Sequence, residues 1–228
     1  MPASLIVSTD AQELKAEVLR VAGHSMAISA CSSIDQALEA YSGERILFGR
    51  PDMIAQVLPE MPTVDWVQSS WAGVEPLVAL GRRNYTLTVI KDVFGPQMSE
   101  YVFGHLLAHE LKLAERKRQQ DSHSWFNEHS GHLLGKRLGI MGTGSIGRHI
   151  ANTAHTFGMS VIGLSRSGTP TEGFTQVFPA GGINPFLEGI DYLVAALPHT
   201  TETTRLLDAA TLARLPTHAY FVNIGRGS

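Results

Sequence analysis

Cysteine is nearly missing from this chain. Cys31 stands alone in 228 residues, so no intrachain disulfide can form, and a small apolar side chain of this kind suits a buried place in a reducing compartment. Nor does any stretch approach the roughly 20 apolar residues of a membrane-spanning helix. Leu5-Ile6-Val7 is too short for a secretory signal and lacks its basic start, so it reads as a first strand. The expectation is a cytoplasmic protein with no membrane partner. A basic excess is absent too: the formal net charge of −3 supplies no field to draw in nucleic acid, and any anion site must be local. There are no internal repeats and no low-complexity tracts. The apolar share of 43% and charged share of 17% are those of ordinary globular proteins, which excludes disordered and fibrous classes.

A metal centre is not expected. His105 and His109 share a helix face, and His123, His129 and His132 crowd one loop, yet there is no HExxH and only one cysteine to help.

What is present is alternation. Short apolar runs at 5–7, 26–28, 46–48, 66–68 and 86–89 are separated by helix-like stretches at 11–21, 34–41, 51–58 and 73–80. Strand and helix at this spacing predict a parallel sheet with helices on its faces. Phe94-Gly95-Pro96 interrupts the series, and Ser99 is placed to cap a long helix with apolar positions Val102, Phe103, Leu106, Leu107, Leu111 and Leu113. The domain boundary is expected near Met98, giving domains 1–98 and 99–228. A polar segment follows from Lys117 to His132, and a second alternating series begins at Leu138.

That second series opens on the most informative stretch, Leu138-Gly139-Ile140-Met141-Gly142-Thr143-Gly144-Ser145-Ile146-Gly147, a strand running into a G-x-G-x-x-G turn. After the turn, Ile146, Ile150, Ala154 and Phe157 recur at helical spacing, Gly158 falls where a left-handed cap is expected, and 161–164 read as a strand. This is a dinucleotide-binding βαβ unit in outline. Gly142 is expected to make the tight turn, Gly144 to let the backbone approach a pyrophosphate, and Gly147 to pack helix on strand. With Thr143, Ser145 and Ile146 they form the expected phosphate cradle at a helix N-terminus. Past the next strand, an Asp or Glu marks NAD. Here the chain reads Ser165-Arg166-Ser167-Gly168, with no acid. Either Arg166 pairs with a 2′-phosphate while Ser165 and Ser167 donate hydrogen bonds, or it is a solvated surface arginine.

Farther on, 191–197 and 220–224 read as buried strands, and the segments that follow them carry a resemblance. Leu197-Pro198-His199-Thr200-Thr201-Glu202-Thr203-Thr204 and Asn223-Ile224-Gly225-Arg226-Gly227 resemble signature pieces of the D-isomer-specific 2-hydroxyacid dehydrogenases. Val67-Gln68-Ser69-Ser70-Trp71-Ala72-Gly73-Val74 and Gly95-Pro96-Gln97-Met98-Ser99-Glu100-Tyr101 resemble two more, in the family's order, with the flavour of the glyoxylate and hydroxypyruvate reductases. The resemblance implies an α/β protein of two domains, a flavodoxin-like substrate domain and a Rossmann doubly wound dinucleotide-binding domain, with a cleft between them. It implies a homodimer. It also implies that the amides around Ala72, Gly73 and Val74 receive a substrate carboxylate, and that Leu197, Pro198, Thr203, Asn223, Ile224 and Gly225 help hold the cofactor. Trp71 either lines the substrate pocket or belongs to the core.

The resemblance also makes Arg226 the expected catalytic residue, and the chemistry supports that role. A 2-oxo acid offers a planar carboxylate beside a carbonyl, which a guanidinium fork binds and polarises where a lysine would not. The expected activity is hydride transfer between NADP(H), with NAD(H) as the second option, and a small 2-oxo or 2-hydroxy acid, glyoxylate or hydroxypyruvate. In the family a glutamate and histidine pair gives the proton. The resemblance places both downstream of the arginine motif, whereas this sequence ends at Ser228 and none of its ten histidines holds that position. His199 lies near the cofactor by analogy but is not expected to be the acid. The expectation is therefore a protein that continues past this segment. A competing class is a dinucleotide-sensing binding protein of the same fold, corepressor-like and without turnover, which a basic or peptide-docking surface would favour.

Overall fold

The computed structural model describes residues 4–22, 26–125 and 127–227. The chain divides into two units, Met1–Lys91 and Asp92–Ser228, so the break precedes the Met98 indicated by the helix signal.

The first unit alternates strictly: β1 (Ser4–Val7), α1 (Ala11–Ala22), β2 (Ile28–Cys31), α2 (Ile34–Ala40), β3 (Ile46–Gly49), α3 (Pro51–Val57), β4 (Trp66–Ser69), α4 (Glu75–Ala79) and β5 (Thr86–Thr88). All strand pairs are parallel, in the flavodoxin-like order β2-β1-β3-β4-β5. β1 is inner and buried along its length, as an inner strand of a sheet covered on both faces must be. Leu5, Val7, Leu47 and Val67 pack on Ala37, Ile54, Val57 and Leu77. Ile6 and Ile28 meet Ala11, Leu14 and Val18 on the other face. Cys31 is buried, and burial followed by the charge of Glu44 raises its thiol pKa.

Two expectations need correction here. The second strand begins at Ile28, not at Met26, because register with β1 sets its start. α4 begins at Glu75, with Pro76 in its first turn where no N–H is needed, so Ala72-Gly73-Val74 is a turn and not the start of a helix.

The second unit contains α5 (Gly95–Glu110), α6 (Leu113–Asp121), β6 (Arg137–Met141), α7 (Ser145–Thr156), β7 (Ser160–Leu164), β8 (Gln176–Phe178), α8 (Ile183–Leu187), β9 (Tyr192–Ala195), α9 (Ala209–Leu212) and β10 (Tyr220–Asn223). Its parallel sheet runs β10-β9-β6-β7-β8, the order of a doubly wound Rossmann sheet about its first strand. Leu138 and Ile140 on β6 are fully buried against Val102 and Leu106 of α5 and Ile150 and Ala154 of α7, each worth about 2 kcal/mol. Phe186, Leu187 and Ile190 cover Met141, Ile162 and Leu193 on the opposite face.

Three further expectations are corrected. α5 starts at Gly95, with Pro96 in its first turn, and Ser99 is not a cap but buried inside the helix, its Oγ 3.5 Å from Nδ1 of His149. The long helix expected to reach Leu113 breaks at Lys112, whose left-handed backbone (φ 49°) separates α5 from α6. β10 was expected to be buried, but only Val222 is, because β9 is its one partner among the described residues. Among those residues no helix is long and apolar enough to cross a membrane.

Candidate functional site

The second sheet changes direction between β6 and β9, and open α/β sheets take their ligands beyond the carboxyl ends of strands at such a point. The glycine turn sits there. Gly142 follows β6 at φ +102°, and a Cβ on it would lie 2.7 Å from the carbonyl oxygen of Ala196. A Cβ on Gly147 would lie 2.0 Å from the carbonyl oxygen of Gly142, so the first turn of α7 rests directly on the strand end. Gly144 behaves differently: it is exposed, and a Cβ there would meet nothing within 4 Å. Gly144 caps α7 without a side-chain bond, leaving the first-turn amides of Ser145, Ile146 and Gly147 without intrahelical partners. Backbone N–H groups, positive helix dipole and open space above Gly144 together fit an approaching pyrophosphate. Thr143 fills the space beside Gly163, where an added Cβ would meet its methyl at 2.6 Å.

The strand after this helix ends in a second small turn. The Ser165 amide donates to the carbonyl of Phe178, Ser165 Oγ accepts the amide of Gly168 at 3.1 Å, and Ser167 Oγ lies 2.7 Å from Thr169 Oγ1. Arg166 projects from this turn and is exposed. Glu202, on the loop after β9, has its carboxyl held below the usual range by its own amide and the Thr200 hydroxyl, with the charge of Arg166 adding to them.

The loops after β9 and β10 complete this face. Thr203 Oγ1 donates to the carbonyl of Pro198 at 2.6 Å and accepts the Thr200 amide at 2.8 Å, knotting Pro198–Thr203 into a compact turn. Thr204 Oγ1 lies 3.4 Å from Nε2 of His199. Ile224 donates to the carbonyl of Ala195, and a Cβ on Gly225 would sit 2.7 Å from the carbonyl of Leu197, so the two loops touch through backbone. Arg226 is exposed at the tip of the second. A hollow of about 670 Å³ is lined by Leu197, His199, Thr203, Arg205, Phe221 and Arg226, among others. Leu197, which lines the hollow, also borders the glycine turn, its Cδ2 3.7 Å from where a Cβ on Gly142 would lie.

In the first unit, Ala72, Gly73 and Val74 lie just beyond the carboxyl end of β4. Buried Ser69 sets their course: its Oγ donates to the carbonyl of Trp71 at 2.8 Å and accepts the Trp71 amide at 3.1 Å. Trp71 itself is 47% exposed, which removes it from the core. The guanidinium of Arg50 lies over its ring, 4.8 Å from the centroid.

Sequence reasoning missed the role of Asn223 as a brace, the threonine knot after β9 and the stacking of Arg50 on Trp71. An Asn two residues before a glycine and a Thr-Thr-Glu-Thr-Thr run both carry turn chemistry, and were legible to that extent. Nothing in the spacing of Arg50 and Trp71 announces their contact. Farther away, at the opposite end of the sheet, Tyr192 donates its buried hydroxyl to Glu110; burial, then that carboxylate, pushes the phenol far above its usual pKa. Among the described residues no three His, Cys, Asp or Glu side chains gather as metal ligands would.

Comparison with known proteins places these features. Residues 103–228 match the family described as D-isomer specific 2-hydroxyacid dehydrogenase, NAD binding domain. A glyoxylate/hydroxypyruvate reductase A from Yersinia enterocolitica is 31% identical over 134 residues, 58% of this chain and 42% of that protein. The crystal structure of a D-isomer specific 2-hydroxyacid dehydrogenase family protein from Aeromonas salmonicida superposes with a TM-score of 0.90 at 36% identity, covering 100% of this chain and 74% of the other. An NADPH-dependent glyoxylate/hydroxypyruvate reductase from Sinorhizobium meliloti, solved with NADP and sulfate, gives 0.82 at 26% identity, covering 99% of this chain and 73% of that one. The chain thus spans only 42% to 59% of the length of the first curated relatives it matches. With the glycine turn, sheet order and family match in agreement, the chain belongs to the D-isomer specific 2-hydroxyacid dehydrogenases and carries their nicotinamide-dinucleotide-binding domain.

Proposed function

We propose that this protein is an oxidoreductase that interconverts a small 2-oxo acid and its D-2-hydroxy acid, glyoxylate or hydroxypyruvate, with NADP(H) in preference to NAD(H). The reading rests chiefly on the glycine turn: exposed Gly144, with open space above it and uncapped amides behind it, suits a bound pyrophosphate. The dinucleotide, when bound, supplies or accepts the hydride. The proton falls to the glutamate and histidine that the family resemblance places downstream of the arginine motif, and the residues of this chain bind and orient the reactants.

Gly142, Thr143, Gly144, Ser145, Ile146 and Gly147 hold the pyrophosphate in this proposal. Arg166, flanked by Ser165 and Ser167, pairs with a 2′-phosphate, since a guanidinium is matched to a phosphate dianion and the Ser165–Gly168 turn itself carries no acid. Leu197, Pro198, Thr203, Asn223, Ile224 and Gly225 wall the nicotinamide side. The amides of Ala72, Gly73 and Val74 receive the substrate carboxylate, and Arg226 stabilises negative charge on the carbonyl oxygen as it develops. The relatives named for glyoxylate and hydroxypyruvate, and the one solved with NADP, support the choice of substrate and cofactor. A homodimer in the cytoplasm is part of the same proposal, the second half of it supported by the lone buried Cys31.

The experiment, on the full-length protein that carries the proton-donating pair, is a spectrophotometric assay of NADPH oxidation with glyoxylate and with hydroxypyruvate. Turnover of either, faster with NADPH than with NADH, is the expected result. Saturable cofactor binding without turnover of any 2-oxo acid would overturn the enzymatic reading.

A further inference from the structure

The carboxyl end of the first sheet holds an arginine that the functional reading above does not use. Arg50 follows β3, next to the strand that carries the Ala72–Val74 turn. Its guanidinium is fixed on three sides. Asp52 takes two bonds, from Nε at 3.1 Å and Nη2 at 2.7 Å. Thr9 Oγ1, on the loop after β1, accepts from Nη1 at 3.3 Å. The ring of Trp71, which directly precedes Ala72, lies beneath the guanidinium, whose carbon is 4.8 Å from the ring centroid. The side chain is 28% exposed, so the bonded group still reaches solvent. Three of the five guanidinium N–H groups are used; one on each terminal nitrogen has no partner among the described residues.

This charge is balanced. Asp52 neutralises it directly, and the charge of Asp10 also acts on Arg50. The cluster of Arg50, Asp52 and Asp10 is therefore not a cationic site, and a second carboxylate or a phosphate on the substrate would meet net negative charge. A neutral hydroxyl oxygen would not, and it would gain a charge-assisted hydrogen bond from a donor already held in place.

We propose that Arg50 is a specificity-determining residue that reads a hydroxyl group on the carbon next to the reacting one, so that the protein prefers 3-hydroxylated acids over both unsubstituted and dicarboxylic ones. Trp71 holds the guanidinium over its ring beside the turn, and Asp52 sets both its orientation and its lack of net charge. The assignment rests on the functional reading above, because it takes Ala72–Val74 as the place where the carboxylate of a 2-hydroxy or 2-oxo acid sits.

D-glycerate and D-lactate differ only by that hydroxyl, and D-malate carries a carboxylate in its place. Calorimetric titration of the NADP-loaded protein with the three acids reads affinity without depending on turnover. The wild type should bind glycerate about tenfold or more tighter than lactate, with malate weakest. Arg50→Met should bring the glycerate-to-lactate ratio close to one. Asp52→Asn, which keeps the arginine but removes its counter-charge, should raise malate affinity relative to glycerate, and it tests the assignment if Arg50→Met does not fold. Equal binding of glycerate and lactate by the wild type, or a glycerate preference that survives in Arg50→Met, would overturn the assignment while leaving the functional reading intact. Binding of none of the three would overturn the functional reading and this assignment with it.

Discussion

Asn223 braces the turn that carries Arg226 from two sides: its Oδ1 accepts the amide of Gly225 at 2.9 Å, and its Nδ2 donates to the carbonyl of Arg226 at 3.0 Å. In the proposed reaction Arg226 acts on the substrate and Asn223 is a positioning residue. Arg226→Ala should lower kcat/KM by about a hundredfold or more, the scale of one lost charged transition-state contact, with little change in Tm because the side chain is exposed. Asn223→Ala should cost about 1 kcal/mol in stability and reduce kcat more than it raises KM. Asn223→Asp keeps the acceptor for Gly225 and should fall between. Wild-type kinetics in Arg226→Ala would refute the role.

Two glycines of the turn make separable predictions. Gly147→Ala places a methyl 2.0 Å from a backbone carbonyl and should destabilise the protein by about 2–4 kcal/mol. Gly144→Ala meets nothing and should leave Tm nearly unchanged, yet weaken cofactor binding by about tenfold or more, since the methyl occupies the approach of the pyrophosphate. Thermal melts and dinucleotide titrations on both variants check this. Unchanged affinity in a well-folded Gly144→Ala would remove Gly144 from the cradle.

Asp191, at the start of β9 and away from the site, should tune stability with pH. Its Oδ2 accepts the Arg137 amide at 2.8 Å, and Oδ1 lies 3.2 Å from Lys136 Nζ and 3.3 Å from His218 Nε2. Burial pushes its pKa up, but the Arg137 amide, Lys136 and His218 together outweigh burial and hold it below the usual value. A depressed folded-state pKa contributes stability above the unfolded value of about 4, and the contribution is lost as pH falls through the folded one. Asp191→Asn should therefore lower stability by about 1–2 kcal/mol at neutral pH, and the gap to wild type should narrow below about pH 4. Chemical denaturation at the two pH values measures it; a gap independent of pH would contradict the coupling.

What the residues reveal in advance depends on whether their chemistry acts locally. The glycine turn was legible because Gly142, Gly144 and Gly147 each answer a backbone demand that no other residue meets well: a positive φ, an open approach, a helix lying on a strand. Pro96 and Pro76 fit first helical turns: reading Pro96 as a break displaced the start of α5, and starting the helix at Gly73 passed over the later start that Pro76 marks for α4. Lys112 ends a helix in a left-handed conformation with no glycine to announce it, so the apolar run across it looked continuous. Among the described residues β10 has β9 as its one strand partner, and the exposure of Phe221 and Asn223 follows from that pairing. Arg50 and Trp71 come from different strands and meet only because β3 and β4 pair in parallel.

The central claim is that the second unit binds a nicotinamide dinucleotide and reads its 2′-phosphate through Arg166. Arg166 is exposed on the turn after β7, and its charge acts on the carboxyl of Glu202 on the loop after β9. Calorimetric titration with NADPH and with NADH, on the wild type and on Arg166→Asp, tests the claim most directly. The account predicts saturable binding of NADPH about tenfold or more tighter than NADH, reduced to parity or reversed in Arg166→Asp. Absence of saturable binding of either dinucleotide, or equal affinity for both in the wild type, would contradict it.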